Sequence, residues 1–156
     1  MILGTCTQRT TRWLDESGCE AAARALARCP QVRLADIELH GTLGAGKTTF
    51  VRHLLRALGV QGRIKSPTYA VVEPYTLPGL SISHFDFYRF EDPREWVDAG
   101  LRDLFEAPGL KLAEWPEKAA AVLPPADLRL TIEPGDGDRR HVTAEALSER
   151  GRALLP

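Results

Sequence analysis

Apolar positions along this chain follow two periods. Phe50, Val51, Leu54, Leu55 and Leu58 recur every three to four residues, with Arg52, His53 and Arg56 on the other side. That spacing predicts an amphipathic helix, and Gly59 is placed to end it in the left-handed conformation. Cys19, Ala22, Ala23, Leu26 and Ala27 form a second helical stripe. Ser17-Gly18-Cys19-Glu20 matches a capping box at its start, and Cys29-Pro30 closes it. A third helix is predicted from Asp92-Pro93-Arg94-Glu95, with Asp as N-cap and Pro in the first turn. Val97, Leu101, Leu104 and Phe105 would line its buried side.

Period two marks the strands. Leu128, Leu130 and Ile132 alternate with Arg129, Thr131 and Glu133. Gln8–Leu14, Leu34–Leu39 and Leu110–Ala113 read as further strands, and Pro134-Gly135-Asp136-Gly137 as a turn into a last one near Arg140–Thr143. Tyr69–Tyr75 and Leu80–Tyr88 are predicted to pair through a four-residue loop, Thr76-Leu77-Pro78-Gly79. The tail from about residue 148 is expected to fray. Helices and strands interleave, but a hairpin interrupts them. The expected fold is α/β: a mixed parallel and antiparallel sheet flanked by helices, in one domain spanning residues 1–156.

Between the Leu34–Leu39 strand and the Phe50 helix stands Gly41-Thr42-Leu43-Gly44-Ala45-Gly46-Lys47-Thr48, a complete G-x-x-x-x-G-K-[ST] phosphate-binding loop. Gly44 and Gly46 permit positive φ and close approach of the backbone to a phosphate. The turned backbone of Gly41, Leu43, Gly44, Ala45 and Gly46, running on to Thr49, points N–H groups at a β-phosphate at the positive end of the helix. Lys47 reaches the β/γ oxygens and the Thr48 hydroxyl can ligate Mg²⁺, so ATP and Mg²⁺ are the expected cofactors. Strand, glycine loop and helix come in the order the motif requires.

Such a site needs an acid at the end of a nearby strand. Asp86 follows Ile82-Ser83-His84-Phe85, and Glu114 follows Leu110-Lys111-Leu112-Ala113. Strand context alone does not rank the two. Lys65-Ser66-Pro67-Thr68-Tyr69 stands where a γ-phosphate-sensing loop often lies, although from these residues alone a plain turn into a strand is the better account. His84 has no Cys or His neighbour at ligand spacing, which argues against a metal role. Trp115 fits either core packing or a lid or partner contact.

Composition narrows the class. With 156 residues and 44% hydrophobic content the chain can bury a core without staples. A net charge of −1 argues against a large non-specific nucleic-acid surface. Neither a membrane-spanning run nor a signal peptide is evident. Cys6, Cys19 and Cys29 are an odd count without a C-x-x-C pair, which points to a reducing cytoplasm and not to disulfides or zinc.

These pieces in this order resemble TsaE, the bacterial ATPase family of tRNA threonylcarbamoyladenosine biosynthesis. The matching strings are Gly44-Ala45-Gly46-Lys47-Thr48-Thr49-Phe50, Lys65-Ser66-Pro67-Thr68-Tyr69 with Val72-Glu73-Pro74-Tyr75, His84-Phe85-Asp86-Phe87-Tyr88-Arg89, and Glu114-Trp115-Pro116. The similarity runs from about Glu38 to Glu133. It implies Mg²⁺-dependent ATP hydrolysis, slow alone and stimulated by two partners, TsaB and TsaD, in a complex that modifies the adenosine next to the anticodon. It implies Thr48 and Glu114 on the metal side, Asp86 as an essential acid, and Thr68 in a switch loop. Trp115 would lie at the nucleotide or partner edge, and Glu16 near the adenosine end. Contact with tRNA would be indirect, through the complex, and no membrane would be involved. The family usually has Asp where this chain has Thr42, which removes a charge near the triphosphate.

Two other classes stand beside this one. A small-molecule or nucleoside kinase would need an acceptor pocket and an arginine-rich lid, for which only Arg94 and Arg102 offer themselves. A nucleotide-binding scaffold without turnover is favoured by Thr42 and opposed by Asp86 and Glu114.

Overall fold

The computed structural model describes residues 7–67, 69–92, 94–98 and 100–155, with the backbone alone for Val97 and Asp98. The elements are β1 (Gln8–Trp13), α1 (Glu16–Ala27), β2 (Asp36–His40), α2 (Lys47–Leu58), β3 (Val72–Leu77), β4 (Leu80–Asp86), α3 (Arg94–Asp98), α4 (Leu101–Glu106), β5 (Leu110–Glu114), β6 (Leu128–Pro134), β7 (Arg140–Ala146) and α5 (Glu149–Ala153). Among the described residues, seven strands form one sheet in the order β1-β7-β6-β2-β5-β4-β3. Four neighbouring strands, β6, β2, β5 and β4, are mutually parallel. The outer pairings, β1 with β7, β7 with β6 and β3 with β4, are antiparallel. This is the mixed sheet expected.

Strand alternation sends side chains to two cores. Ile37 and Leu39 of β2, Leu110 and Leu112 of β5, and Leu128, Leu130 and Ile132 of β6 pack beneath α1 and α2. Phe85 and Ala113 point the other way, into a second cluster with Phe87, Phe90, Trp96, Leu101 and Phe105. α2 buries Phe50, Val51, Leu54 and Leu55 as its stripe predicts, and ends on Gly59 at φ 113°.

Several boundaries depart from expectation. Residues 30–34 wind into a 3₁₀ turn that leaves Leu34 exposed, so β2 begins at Asp36. Asp15, not Ser17, caps α1: its carboxylate accepts from Gly18 N at 3.2 Å. Ser17 instead donates to Asp15, and Glu20 pairs with Arg24 one turn on. The hairpin turns in two residues, not four, because Gly79 at φ 70° reverses the chain quickly enough for Leu77 and Leu80 to pair. β3 tolerates Pro74 because it is the edge strand.

The helix after Asp92 is two short helices broken at Gly100, φ 69°. The break resets the helical phase, so Trp96 and Phe105 are buried while Leu104 is exposed. The side chain of Val97 and the whole of Pro93 lie outside the described residues.

The tail does not fray. Ser148 caps α5 by accepting from Gly151 N at 3.0 Å and donates to Asp127 at 2.7 Å, and Leu154 enters the main core. A Cβ at Gly151 would sit 1.8 Å from the Asp127 carbonyl, so only glycine permits this seat.

Candidate functional site

Because β2, β4 and β5 run parallel, their C-terminal ends share one edge of the sheet, where open α/β folds place ligands. β2 leads into the loop 41–46, and α2 starts at Lys47 with Gly46, at φ 111°, as its N-cap. Gly41 has φ 151°, and a Cβ there would lie 2.5 Å from the Ile132 carbonyl. Gly44, at φ 81°, has nothing within 4 Å of a built Cβ and faces open space.

The Lys47 ammonium folds back over this loop. It donates to Gly41 O and, at 3.1 Å, to Thr42 O, and lies 4.1 Å from the Trp115 ring centre. Burial lowers its pKa, and the carboxylates of Glu114, Glu117 and Asp86 oppose that shift. Thr42 takes part through its carbonyl, which also accepts from Ala45 N at 3.0 Å.

The two acids expected from the strand ends meet here. Asp86 and Glu114 are paired across β4 and β5. Glu114 is buried, and its Oε1 accepts from the Thr48 hydroxyl at 2.8 Å. Asp86 accepts from Tyr88 N at 3.0 Å, and burial is the leading cause that pushes its carboxyl above the ordinary range. Lys47, Thr48, Thr49, Asp86 and Glu114 line a cleft of about 310 Å³ with Leu43, Gly44, Ala45, Gly46, Ser66, Tyr88 and Trp115. Trp115 takes a left-handed backbone at φ 54° and leans on Tyr88, ring centres 5.0 Å apart. Its indole is a wall of the cleft as well as a packing element.

Glu16 is not in this cleft. It lines an adjoining one of about 370 Å³ that shares Ala45, Gly46 and Thr49 and adds Asp15, Asp138 and Arg140. Thr68 lies outside the described residues.

One site residue, Arg140, goes unmarked in the sequence, and a second, His84, is set aside there as a metal ligand with no other role expected of it. Arg140, on β7, donates to Ala45 O at 2.8 Å and braces the loop from the Glu16 side. No local pattern marks it, since 95 residues separate the partners. His84 is fully buried and its Nε2 lies 2.6 Å from Glu114 Oε2. The alternation Leu80, Ile82, His84, Asp86 carries that signal, because it puts His84 on the same face as Asp86.

The fold and site define an α/β protein whose glycine loop, between a parallel strand and a helix, faces two strand-end carboxylates. The profile of threonylcarbamoyl adenosine biosynthesis protein TsaE matches residues 14–142. The tRNA threonylcarbamoyladenosine biosynthesis protein TsaE of Haemophilus influenzae is 43% identical over 119 residues, 76% of this chain and 75% of the relative. The protein of the same description from Bacillus subtilis is 36% identical over 118 residues, 76% of this chain and 73% of that one. The crystal structure of Bacillus subtilis YdiB superposes with a TM-score of 0.75 at 28% identity, covering 94% of this chain and 90% of that one. The chain belongs to the TsaE family of tRNA threonylcarbamoyladenosine biosynthesis. No helix among the described residues is long and apolar enough to cross a membrane.

Proposed function

We propose that this chain is the Mg²⁺-dependent, ATP-binding and ATP-hydrolysing member of the threonylcarbamoyladenosine machinery. In this reading it acts in the cytoplasm with TsaB and TsaD and meets tRNA only through their complex. The observation that carries the reading is the Thr48–Glu114 contact at the foot of the glycine loop, with Asp86 alongside and Lys47 above.

The residues fit the group. Thr48, Glu114 and Asp86 offer hard oxygen donors of the kind Mg²⁺ takes, and one or two carboxylates suffice because the ion keeps several waters. The open space at Gly44 lets loop amides approach a phosphate. Bound Mg²⁺ would supply charge neutralisation at the β- and γ-phosphate oxygens.

The chain's own groups do the rest. Loop amides and the Lys47 ammonium hold phosphate oxygens. Thr48 and Glu114 hold the metal side. Asp86 is the second acid at the cleft. Glu16 and Arg140 line the adjoining cleft, and the family likeness would put the nucleoside end near Glu16. Thr68 retains the switch role the family likeness gives it. Arg94, the candidate lid arginine of a kinase, is instead bound to Asp92 at 2.9 Å on the surface.

The test is ATP turnover with Mg²⁺, alone and with a TsaB–TsaD pair. Slow hydrolysis that accelerates with the pair is expected, and Asp86→Ala or Glu114→Ala should abolish it. No response to the pair, with rapid turnover once a nucleoside or sugar acceptor is added, would make the protein a kinase instead.

A further inference from the structure

His84 is used by nothing proposed so far, yet it is fully buried on the α2 side of the sheet. Among the described residues each oxygen of Glu114 has one hydrogen-bond partner: Oε1 accepts from Thr48, and Oε2 faces His84 Nε2 at 2.6 Å. A carboxylate oxygen accepts, so the imidazole Nε2 is the donor. The other ring nitrogen, Nδ1, is buried without a hydrogen-bond partner among the described residues. The ring is therefore committed to one polar contact, and that contact is Glu114.

Geometry explains why the carboxylate needs holding. Glu114 is the last residue of β5, next to Trp115 in a left-handed backbone, so the chain turns away at once. At His84, β4 is paired on both sides, with Glu73 of β3 and Leu112 of β5, and His84 lies two residues before Asp86 on the same face. His84 thus ties the Glu114 side chain to the strand that carries the second acid. Groups that hold a metal ligand through a hydrogen bond set its orientation, and their loss commonly costs metal affinity.

We propose that His84 is a positioning residue: through Nε2 it orients the Glu114 carboxylate so that Oε1 serves the Thr48 side of the divalent-cation site. The proposal rests on the Mg²⁺–ATP reading above.

The test measures Mn²⁺ binding by electron paramagnetic resonance in the presence of adenosine 5′-(β,γ-imido)triphosphate, for the wild type, His84→Leu, His84→Gln and His84→Asn. Failure of the wild type to hold Mn²⁺ with the nucleotide overturns the Mg²⁺–ATP reading, and this proposal with it. Given wild-type binding, His84→Leu should weaken Mn²⁺ affinity by roughly 10–100-fold. Its metal-free nucleotide affinity should stay within about twofold, since loop amides and Lys47 are untouched. Turnover of that variant should be recovered by raising Mg²⁺, a KM effect that a general packing defect would not give. His84→Gln, whose amide N–H extends toward the Nε2 position, should restore most of the affinity.

Wild-type Mn²⁺ affinity in His84→Leu overturns the proposal. If the leucine variant does not fold, the amide pair decides: His84→Asn is too short to reach Glu114, so equal affinities in Asn and Gln variants also overturn it.

Discussion

Replacing Lys47 by alanine separates binding from folding. In the protein the ammonium donates to Gly41 O and Thr42 O and lies over Trp115, with no ion pair to a carboxylate among the described residues. To serve a phosphate it must exchange those contacts, so the net gain is smaller than three new bonds. One charge-assisted hydrogen bond is worth ~1.5–3 kcal/mol. At 1.4 kcal/mol per tenfold, that is a loss of about 10–150-fold in ATP affinity. Stability should change little, by about 1 kcal/mol or less, because the lost hydrogen bonds are offset by release of a buried charge whose pKa desolvation already lowers. Isothermal calorimetry with ATP, beside a urea unfolding curve, reads both quantities. Affinity within twofold of wild type in a folded variant would refute the assignment of Lys47 to the phosphates.

Two further expectations concern folding. Burial pushes the Asp36 carboxyl up to about 6 from an ordinary 3.8. The folded state therefore prefers the protonated form, and this contribution is full below about pH 3.8 and lost as pH rises through about 6. The full difference is ~3 kcal/mol, and solvent screening of a half-buried group reduces it to ~1–2 kcal/mol. Asp36→Asn should accordingly be more stable than wild type at pH 8 by that amount and equal to it near pH 4. An advantage that grows toward acid would contradict the sign. Gly151→Ala should cost at least ~2 kcal/mol, because its Cβ meets the Asp127 carbonyl at 1.8 Å. A melting temperature equal to wild type would show that α5 does not seat as described.

Some of the candidate site could be read directly from neighbouring residues. The glycine loop with its flanking strand and helix is a local signal, because backbone conformation and amphipathic spacing are both set within a dozen residues. Asp86 and Glu114 were findable as strand-end acids, but not their order of involvement. That waited on register, which pairs Asp86 with Glu114 and turns Glu114 to Thr48. Glu16 was singled out only by family likeness, and the fold puts it in the adjoining cleft, across the loop from the acids. Arg140 was invisible for the opposite reason: its partner lies in another layer of the sequence, and an arginine on an outer strand looks like solvated surface.

The misread boundaries have a common cause. Ser17 and Asp15 are both competent caps, and the choice fell to the carboxylate that the extended backbone at φ −159° directs toward Gly18 N. The helix after Asp92 keeps an apolar period in the sequence, yet Gly100 breaks it and the aromatic cluster of Phe85, Phe87, Trp96 and Phe105 decides which residues are inside. The tail lacks an apolar period of its own, and α5 forms because Asp127 and Ser148 hold it and Leu154 has a core to enter.

By itself, then, the sequence determined what short-range chemistry can determine: the mixed α/β pattern, the glycine loop with Lys47 and Thr48, the stripe of α2, and the family. Tertiary structure decided the rest. It aligned β2, β5 and β4 so that Thr48, Glu114, His84 and Asp86 converge, seated the C-terminal helix, and set Arg140 against the loop. Hydrogen bonds between residues far apart in the chain depend on strand order and register. Those follow from how the faces of the sheet bury their apolar side chains together, and no window of neighbouring residues contains that information.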